Sequence, residues 1–92
     1  MIKSFRDKAL QRFFEAGKAR GLSVQDDKRF ARILRAMEAA SKPEDMDLPG
    51  YRFHGLVGKD KCRYSVRVTG NWRITFGWDG ENVTDVELED YH

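Results

Sequence analysis

Residues 63–78 read RYSVRVTGNWRITFGW, and this stretch decides the fold of the chain. Apolar residues occupy every second position on both sides of its centre, and the positions between them are polar or glycine. The apolar positions are Tyr64, Val66, Val68, Trp72, Ile74, Phe76 and Trp78. A period of two is typical of β-strands that bury one face, so the stretch predicts an antiparallel hairpin.

The turn of this hairpin lies at Thr69-Gly70-Asn71. A two-residue turn would put Thr69 opposite Trp72 and expose the apolar face of one strand, because a slip of one residue inverts every side chain. A three-residue loop avoids that conflict, and Gly70 or Asn71 can adopt the left-handed conformation that such loops need. The expected pairs are Val68 with Trp72, Val66 with Ile74, Tyr64 with Phe76 and Arg67 with Arg73.

The segments that flank the hairpin predict further strands. Asp79-Gly80 marks the next turn, and Val86 and Leu88 give a last strand the same apolar face. Residues 51–54 predict an earlier strand, and residues 2–5 a short strand at the start. The predicted sheet is antiparallel.

The first half of the chain has the period of helices. Apolar residues recur at a spacing of three and four at Leu10, Phe13 and Phe14 and again at Phe30, Ile33, Leu34 and Met37. Gly21 is the predicted end of the first helix, and Ser23 with Asp26 is a weak start signal for the second. Ser41 to Gly50 holds both prolines and predicts a long loop. The predicted fold is therefore α+β, with two N-terminal helices packed on one face of a twisted antiparallel sheet.

The length and composition limit what the chain can be. With 92 residues it is expected to form a single domain, 1–92. One cysteine, Cys62, forms no internal disulfide, and we interpret it as a strand residue rather than a reactive thiol. Neither a secretion signal nor a stretch of ~20 apolar residues is present, so the predicted location is the cytoplasm, with no membrane partner.

The formal charge of +2 conceals two blocks of opposite sign. Residues 50–76 contain six basic residues and one acidic residue, a balance of +5, whereas residues 77–92 contain six acidic residues and no lysine or arginine. Arg63, Arg67 and Arg73 fall on the polar side of the predicted hairpin. They either pair with Asp85, Glu87 and Glu89 of the next strand or bind an anion, and the like-charge pair of Arg67 and Arg73 favours a phosphate site.

The two histidines, His54 and His92, are the candidates for acid–base chemistry. No metal motif, serine triad or phosphate-binding glycine loop accompanies them, so neither a metal nor a cofactor is predicted. RNA cleavage without a metal needs a base for the ribose 2′-OH, an acid for the leaving 5′-oxygen and a cation at the phosphorane. Histidine, aspartate, tyrosine and arginine can fill those roles.

Four stretches together resemble the HigB branch of the RelE/ParE toxin superfamily. They are Met-Ile-Lys-Ser-Phe at residues 1–5, Glu-Asp-Met-Asp-Leu-Pro-Gly at 44–50, Asn-Trp-Arg-Ile-Thr-Phe at 71–76 and Glu-Asp-Tyr-His at 89–92. The resemblance implies the RelE-like fold and a ribosome-dependent mRNA endonuclease, an mRNA interferase that cleaves A-site mRNA without a metal and inhibits translation and growth. It also implies as partners the 70S ribosome and mRNA, and a HigA-like helix-turn-helix antitoxin through which the complex binds operator DNA. The catalytic positions that it implies are His54, Arg73, Asp90, Tyr91 and His92.

The chain departs from the family pattern after His54. Many relatives have Pro-Leu-Lys-Gly there, whereas this chain has Gly-Leu-Val-Gly at residues 55–58. The expected lysine is therefore Val57, and we predict that Lys59, on the same face of a strand, replaces its charge. Lys61 and Arg67 are predicted to hold backbone phosphates with it, and Asn71 either reads a base edge or is only a turn residue.

We assign His92 as the general acid, because its acidic neighbours favour the charged imidazolium. Either Asp90 or His54 is the base, Arg73 stabilises the phosphorane, and Tyr91 stacks on a base. A regular last strand would place Asp90 on the core face with Leu88, so this site requires the terminus to bend.

Two other functions remain open from the sequence. A ParE-like toxin would inhibit DNA gyrase by binding and would cut no RNA, and it would not need His54 together with the Asp-Tyr-His terminus. An RNA-binding or antitoxin-type module would need only the charged face.

Overall fold

The computed structural model describes residues 1–17, 27–55, 63–69 and 72–90. The helices are α1 (Lys8–Ala16), α2 (Asp27–Ala39) and a 3-10 helix (Pro43–Met46). The strands are β1 (His54–Gly55), β2 (Arg63–Thr69), β3 (Trp72–Trp78) and β4 (Val83–Asp90). The predicted α+β class, with two helices and an antiparallel sheet, is confirmed.

The four strands form one sheet in the order β1-β2-β3-β4, and all neighbours are antiparallel. The N-terminal segment joins the β4 edge through isolated bridges from Ile2 to Val83 and from Phe5 to Val86. These bridges are parallel, which the sequence did not predict for the short strand at residues 2–5. The N-terminal segment therefore lies beside the first half of β4, the last described strand.

The core lies between the helices and one face of the sheet. All apolar positions predicted for the two helices are buried except Phe14, which is half-buried and packs against the core. Val66, Ile74 and Phe76 of the sheet are fully buried beneath them. Tyr64 stacks between Phe53 and Phe76, with ring centroids 5.6 and 5.7 Å apart. The even-numbered apolar residues of the central hairpin therefore face the helices, as the alternation predicts.

The register of the central hairpin differs from the prediction at its tip. Tyr64 pairs with Phe76, Val66 with Ile74 and Arg67 with Arg73, as predicted. The predicted pair of Val68 with Trp72 is wrong, because Thr69 pairs with Trp72 and the register shifts between Arg67 and Thr69. A β-bulge places an extra residue in one strand, so Val68 stays buried although Thr69 takes the place opposite Trp72.

Helix α1 ends earlier than the predicted stop at Gly21. Gly17 adopts the left-handed conformation with φ 70°, and its N–H donates to the carbonyl of Phe13 at 2.9 Å. This C-terminal cap follows directly after the apolar stripe of the helix, so nothing favours a further turn. Ser23 and Asp26, the predicted start signal of the second helix, lie outside the described residues.

The strand predicted at residues 51–54 is displaced. Strand β1 comprises only His54 and Gly55, because Gly50 and Arg52 have φ values of 84° and 48° that break an extended chain. Tyr51 still contacts the sheet, since its carbonyl accepts the N–H of Arg67 at 2.6 Å. The predicted long loop at residues 41–50 holds the 3-10 helix, whose Pro43 and Met46 are buried.

The turn predicted at Asp79-Gly80 is confirmed. Gly80 has φ 104°, and the Asp79 carboxylate accepts the N–H groups of Glu81 and Asn82 at 3.0 and 2.7 Å. None of the described helices is long and apolar enough to cross a bilayer.

Candidate functional site

The face of the sheet that the helices do not cover carries two rows of polar side chains. The register aligns His54 of β1 with Ser65, Ser65 with Thr75 and Thr75 with Glu87. Paired residues of antiparallel strands point to the same side of a sheet, so these four side chains form one row. His54 is exposed at the β1 end, whereas Ser65 and Thr75 are fully buried.

The second row runs beside the first, two residues away from it on each of the strands β2, β3 and β4. Arg67 pairs with Arg73, and Arg73 pairs with Glu89. His54 and Arg67 are thus diagonal neighbours on adjacent strands, and the Cα atoms of such neighbours lie about 7–8 Å apart. We call the two rows, together with Arg63, the polar face; its members are His54, Arg63, Ser65, Arg67, Arg73, Thr75, Glu87 and Glu89.

Arg63 holds the centre of the polar face together. Its side chain is almost buried, and its Nη2 donates to the Thr75 hydroxyl at 3.1 Å and to the Asp85 carbonyl at 2.9 Å. The same nitrogen lies 3.8 Å from the carboxylate of Glu87, which also lies 3.6 Å from Arg6 Nη1. For Arg63 the opposite-charge interpretation is therefore confirmed: this residue stabilises the sheet.

Thr75 connects Arg63 with the second row. Its hydroxyl accepts from Arg63 and donates to Glu89 Oε2 at 2.6 Å. Glu89 is thereby fixed in the position directly opposite Arg73. Sequence reasoning named no role for Thr75, although its parity with Arg73 on the same strand was a usable signal.

Four of the predicted site residues lie in the described part of the chain, and three of them share one face of the sheet. His54, Arg67 and Arg73 share the polar face. Asp90 pairs with Trp72, the neighbour of Arg73 along β3, and it is exposed at the end of β4. Because successive residues of a strand point to opposite sides of a sheet, Asp90 lies on the side opposite Arg73. From Glu87 to Asp90 the last strand keeps an unbroken register with β3, which is the arrangement that puts Asp90 on the face of Leu88.

The remaining predicted site residues fall outside the described part of the chain. These are Lys59, Lys61, Asn71, Tyr91 and His92, together with the Val57 position of the family lysine. Their roles stay predictions.

The polar face combines an imidazole with two guanidinium groups. Imidazole exchanges protons near neutral pH, and guanidinium groups bind phosphate through paired N–H donors. Across residues 1–17, 27–55, 63–69 and 72–90, no group of three or more histidine, cysteine or acidic side chains could hold a metal ion. The described groups are therefore suited to bind a phosphodiester and to move a proton beside it.

Comparisons with known proteins agree along the whole chain. The profile of a family described as RelE-like toxin of type II toxin-antitoxin system HigB matches residues 3–92. A Proteus vulgaris protein named Endoribonuclease HigB is 36% identical over 92 residues, which is the full length of both chains. Toxin HigB-1 of Vibrio cholerae serotype O1 is 34% identical over 93 residues, covering 99% of this chain and 94% of that protein.

Proposed function

Because the chain belongs to the family of HigB-like toxins, the RelE-like toxins of type II toxin-antitoxin systems, we propose that it is an endoribonuclease that cleaves mRNA and thereby inhibits translation and growth. The observation that carries this proposal is the shared position of His54, Arg67 and Arg73 on the polar face. The name of the Proteus vulgaris relative favours a nuclease over a gyrase inhibitor that only binds. As a toxin of this type, its partner is an antitoxin.

The proposed reaction is attack of a ribose 2′-OH on the adjacent phosphorus. A base removes the 2′-OH proton, the bond to the 5′-oxygen breaks, and an acid protonates that leaving oxygen. Arg73 donates N–H groups to the phosphorane oxygens, where negative charge develops. Cleavage without a metal ion requires only this base, this acid and this cation.

The register of the sheet supports a proton-transfer role for His54. His54 lies on the face of Arg73 and is the base or its orienting partner. Asp90 is the alternative and acts only if the end of the chain turns towards Arg73. We propose His92 as the acid and Tyr91 as a stacking residue for a base of the RNA.

Substrate binding uses the cations around this centre. Arg67 faces Arg73 directly, and a phosphate above both would offset the repulsion between two like charges on neighbouring strands. We propose that Lys59 and Lys61 extend this contact and that Asn71 contacts a base. Glu89, held by Thr75, keeps one negative charge in the row opposite Arg73.

The proposed setting is the bacterial cytoplasm and the A site of the 70S ribosome, where mRNA is presented as a single strand. The proposed antitoxin is HigA-like, with a helix-turn-helix domain that carries the complex to operator DNA. We expect it to dock away from the polar face.

The test is to induce the protein in cells and to map mRNA 5′ ends on ribosomes. Wild type should produce cuts in frame with codons. His54→Ala, Arg73→Ala and His92→Ala should each reduce cutting by roughly two to four decades, because each removes a proposed proton-transfer or electrostatic contribution. Arg12→Ala, which removes an exposed arginine of α1, is the control and should cut like wild type.

Growth arrest with intact mRNA would contradict the nuclease and favour the gyrase inhibitor. Full cutting by both His54→Ala and Arg73→Ala would place the reaction somewhere other than the polar face.

A further inference from the structure

A second cationic site lies beside the polar face, where α2 approaches β2. It is a cleft of about 390 Å³ lined by Arg29, Gly50, Arg67, Val68 and Thr69, and we call it the Arg29 cleft. Two of these described lining residues are arginines and none is acidic. Its volume is within the range of about 300–1,000 Å³ that is usual for ligand sites.

Arg29 is held in a fixed orientation at this cleft. Its Nη2 donates to the carbonyl oxygens of Gly50 and Arg67 at 3.1 and 3.4 Å. Its Cζ lies 5.6 Å from the centroid of the Tyr51 ring. These three contacts orient the guanidinium. An arginine that is already oriented loses less conformational entropy when it binds a phosphate.

The Arg29 cleft is continuous with the polar face through Arg67. The Arg67 carbonyl accepts from Arg29, and its N–H donates to Tyr51. The residue pairs with Arg73 in the second row of the polar face. Arg73, Arg67 and Arg29 therefore follow one another from the middle of the sheet to its helix-covered edge.

From this arrangement we propose that the Arg29 cleft binds a backbone phosphate of single-stranded RNA, next to the phosphate that Arg73 engages. A guanidinium donates charge-assisted hydrogen bonds to phosphate oxygens, which suits a repeating, sequence-independent backbone contact. The assignment of that RNA as the substrate rests on the proposed function. The cleft adds a residue of α2 to a site that the sequence pattern placed entirely on the second half of the chain.

The experiment measures binding of a fluorescein-labelled single-stranded oligoribonucleotide by anisotropy at a series of salt concentrations. The probe carries 2′-O-methyl groups, so it cannot be cleaved. Arg29→Gln removes the charge and leaves a shorter, polar side chain. It should weaken binding several-fold at low salt and lower the slope of log affinity against log salt by about 0.7, the value for one phosphate on a single strand.

Arg35→Gln is the matched control, because Arg35 is an exposed arginine of the same helix that lines the groove between α1 and α2 instead. It should bind like wild type. A second variant, Thr69→Glu, places a carboxylate at the exposed rim of the cleft and should weaken binding without removing any packing contact of Arg29. Thermal unfolding of each variant shows whether it is folded at the temperature of the assay.

Wild-type affinity and slope in both Arg29→Gln and Thr69→Glu would overturn the cleft as a phosphate site. That result leaves the nuclease intact if wild type still cuts mRNA in cells. The reverse outcome is also distinguishable, since a cleft-dependent salt slope in a protein that cuts no mRNA would support the cleft and contradict the proposed activity.

Discussion

At the scale of single residues, Thr75 determines how the charges of the polar face are arranged. Its buried hydroxyl accepts from a nearly buried arginine and donates to a half-buried carboxylate. Both of its hydrogen bonds involve a charged group, and such bonds are stronger than neutral ones. In the low dielectric of a protein interior, linked bonds of this kind also polarise one another.

Replacing Thr75 by valine keeps the shape of the side chain and removes both hydrogen bonds. Arg63 retains the Asp85 carbonyl and Glu87, so we expect Thr75→Val to lower the free energy of unfolding by about 1–2 kcal/mol. Thr69→Val, at an exposed position of the same sheet, should change it by less than about 0.5 kcal/mol. Urea unfolding measures both, and equal stability of the two variants would show that the network makes no net contribution.

The ionisation of Asp79 makes the free energy of unfolding depend on pH in the acidic range. Hydrogen bonds from the backbone N–H groups of Asn82 and Glu81, with the ammonium group of Lys3, lower the pKa of Asp79 from 3.8 to about 2. A carboxylate with a lowered pKa in the folded state stabilises the fold above its unfolded pKa, and this contribution is lost as the pH falls from about 4 to about 2.

We therefore expect the stability difference between wild type and Asp79→Asn to be constant above about pH 5 and to shrink as the pH approaches 2. Urea unfolding at a series of pH values measures it. Thr69→Val, which changes an exposed residue that carries no ionisable group, is the control and should follow the wild-type pH profile. A difference between wild type and Asp79→Asn that stays constant down to pH 2 would contradict the assignment.

At the scale of elements, α1 is too short to be stable by itself. It has nine residues, fewer than the ~12–15 at which isolated helices become marginal in water. Asp7 caps its start by accepting the N–H groups of Ala9 and Leu10 at 3.0 and 3.2 Å, and Gly17 caps its end. Both ends of the helix are thus fixed by side-chain or backbone hydrogen bonds within one turn.

Removing the N-terminal cap should destabilise the whole domain, because Leu10 and Phe13 anchor this helix in the core. We expect Asp7→Ala to lower the free energy of unfolding by about 0.5–2 kcal/mol. Asp7→Asn keeps an oxygen acceptor and loses only the charge, so its loss should be smaller. Chemical unfolding distinguishes the two, and an equal loss in both would show that charge, not the hydrogen bond, stabilises the start of α1.

Two β-bulges shift the register between neighbouring strands of the sheet. One lies between Arg67 and Thr69 in β2, and the register of β3 with β4 shifts again between Thr75 and Gly77. Asp85, opposite this second shift, has φ 49°. Bulges change which side chains face the core without changing the strand order, and here they keep Val68 and Val86 buried while Arg67 and Arg73 stay paired.

At the scale of the whole molecule, one core supports both the helices and the polar face. Ile74 lies at the centre of that core in β3, next to Arg73 and Thr75, and is fully buried. A domain of 92 residues has a free energy of unfolding of about 5–14 kcal/mol, so a single core residue contributes a large share.

We expect Ile74→Val to lower the free energy of unfolding by about 0.5–1.5 kcal/mol and Ile74→Ala by about 2–5 kcal/mol, because the larger deletion leaves a cavity. Urea unfolding gives both values. Binding of single-stranded RNA by the folded fraction of Ile74→Val should equal that of wild type. Weaker binding by a fully folded variant would show that the core also sets the geometry of the polar face.

The sequence by itself determined the period of every main element, the apolar face of the central hairpin and the pairing of Arg67 with Arg73. These features are local, since they follow from which residues alternate or recur within a few positions. The whole-length resemblance that indicated the family was also carried by short stretches of sequence. His54 and Arg73 could be named as candidate site residues for that reason.

Only the tertiary structure decided the contacts between distant parts of the chain and the register shifts between strands. It placed Glu87 near both Arg63 and Arg6, brought Arg29 of α2 to the backbone of Arg67, and set Asp90 on the side of the sheet away from Arg73. The parallel bridges of the N-terminal segment and the bulge at Thr69 were decided there as well. Each depends on groups that are distant in sequence or on a one-residue shift between strands, and alternation along a single strand carries no information about either.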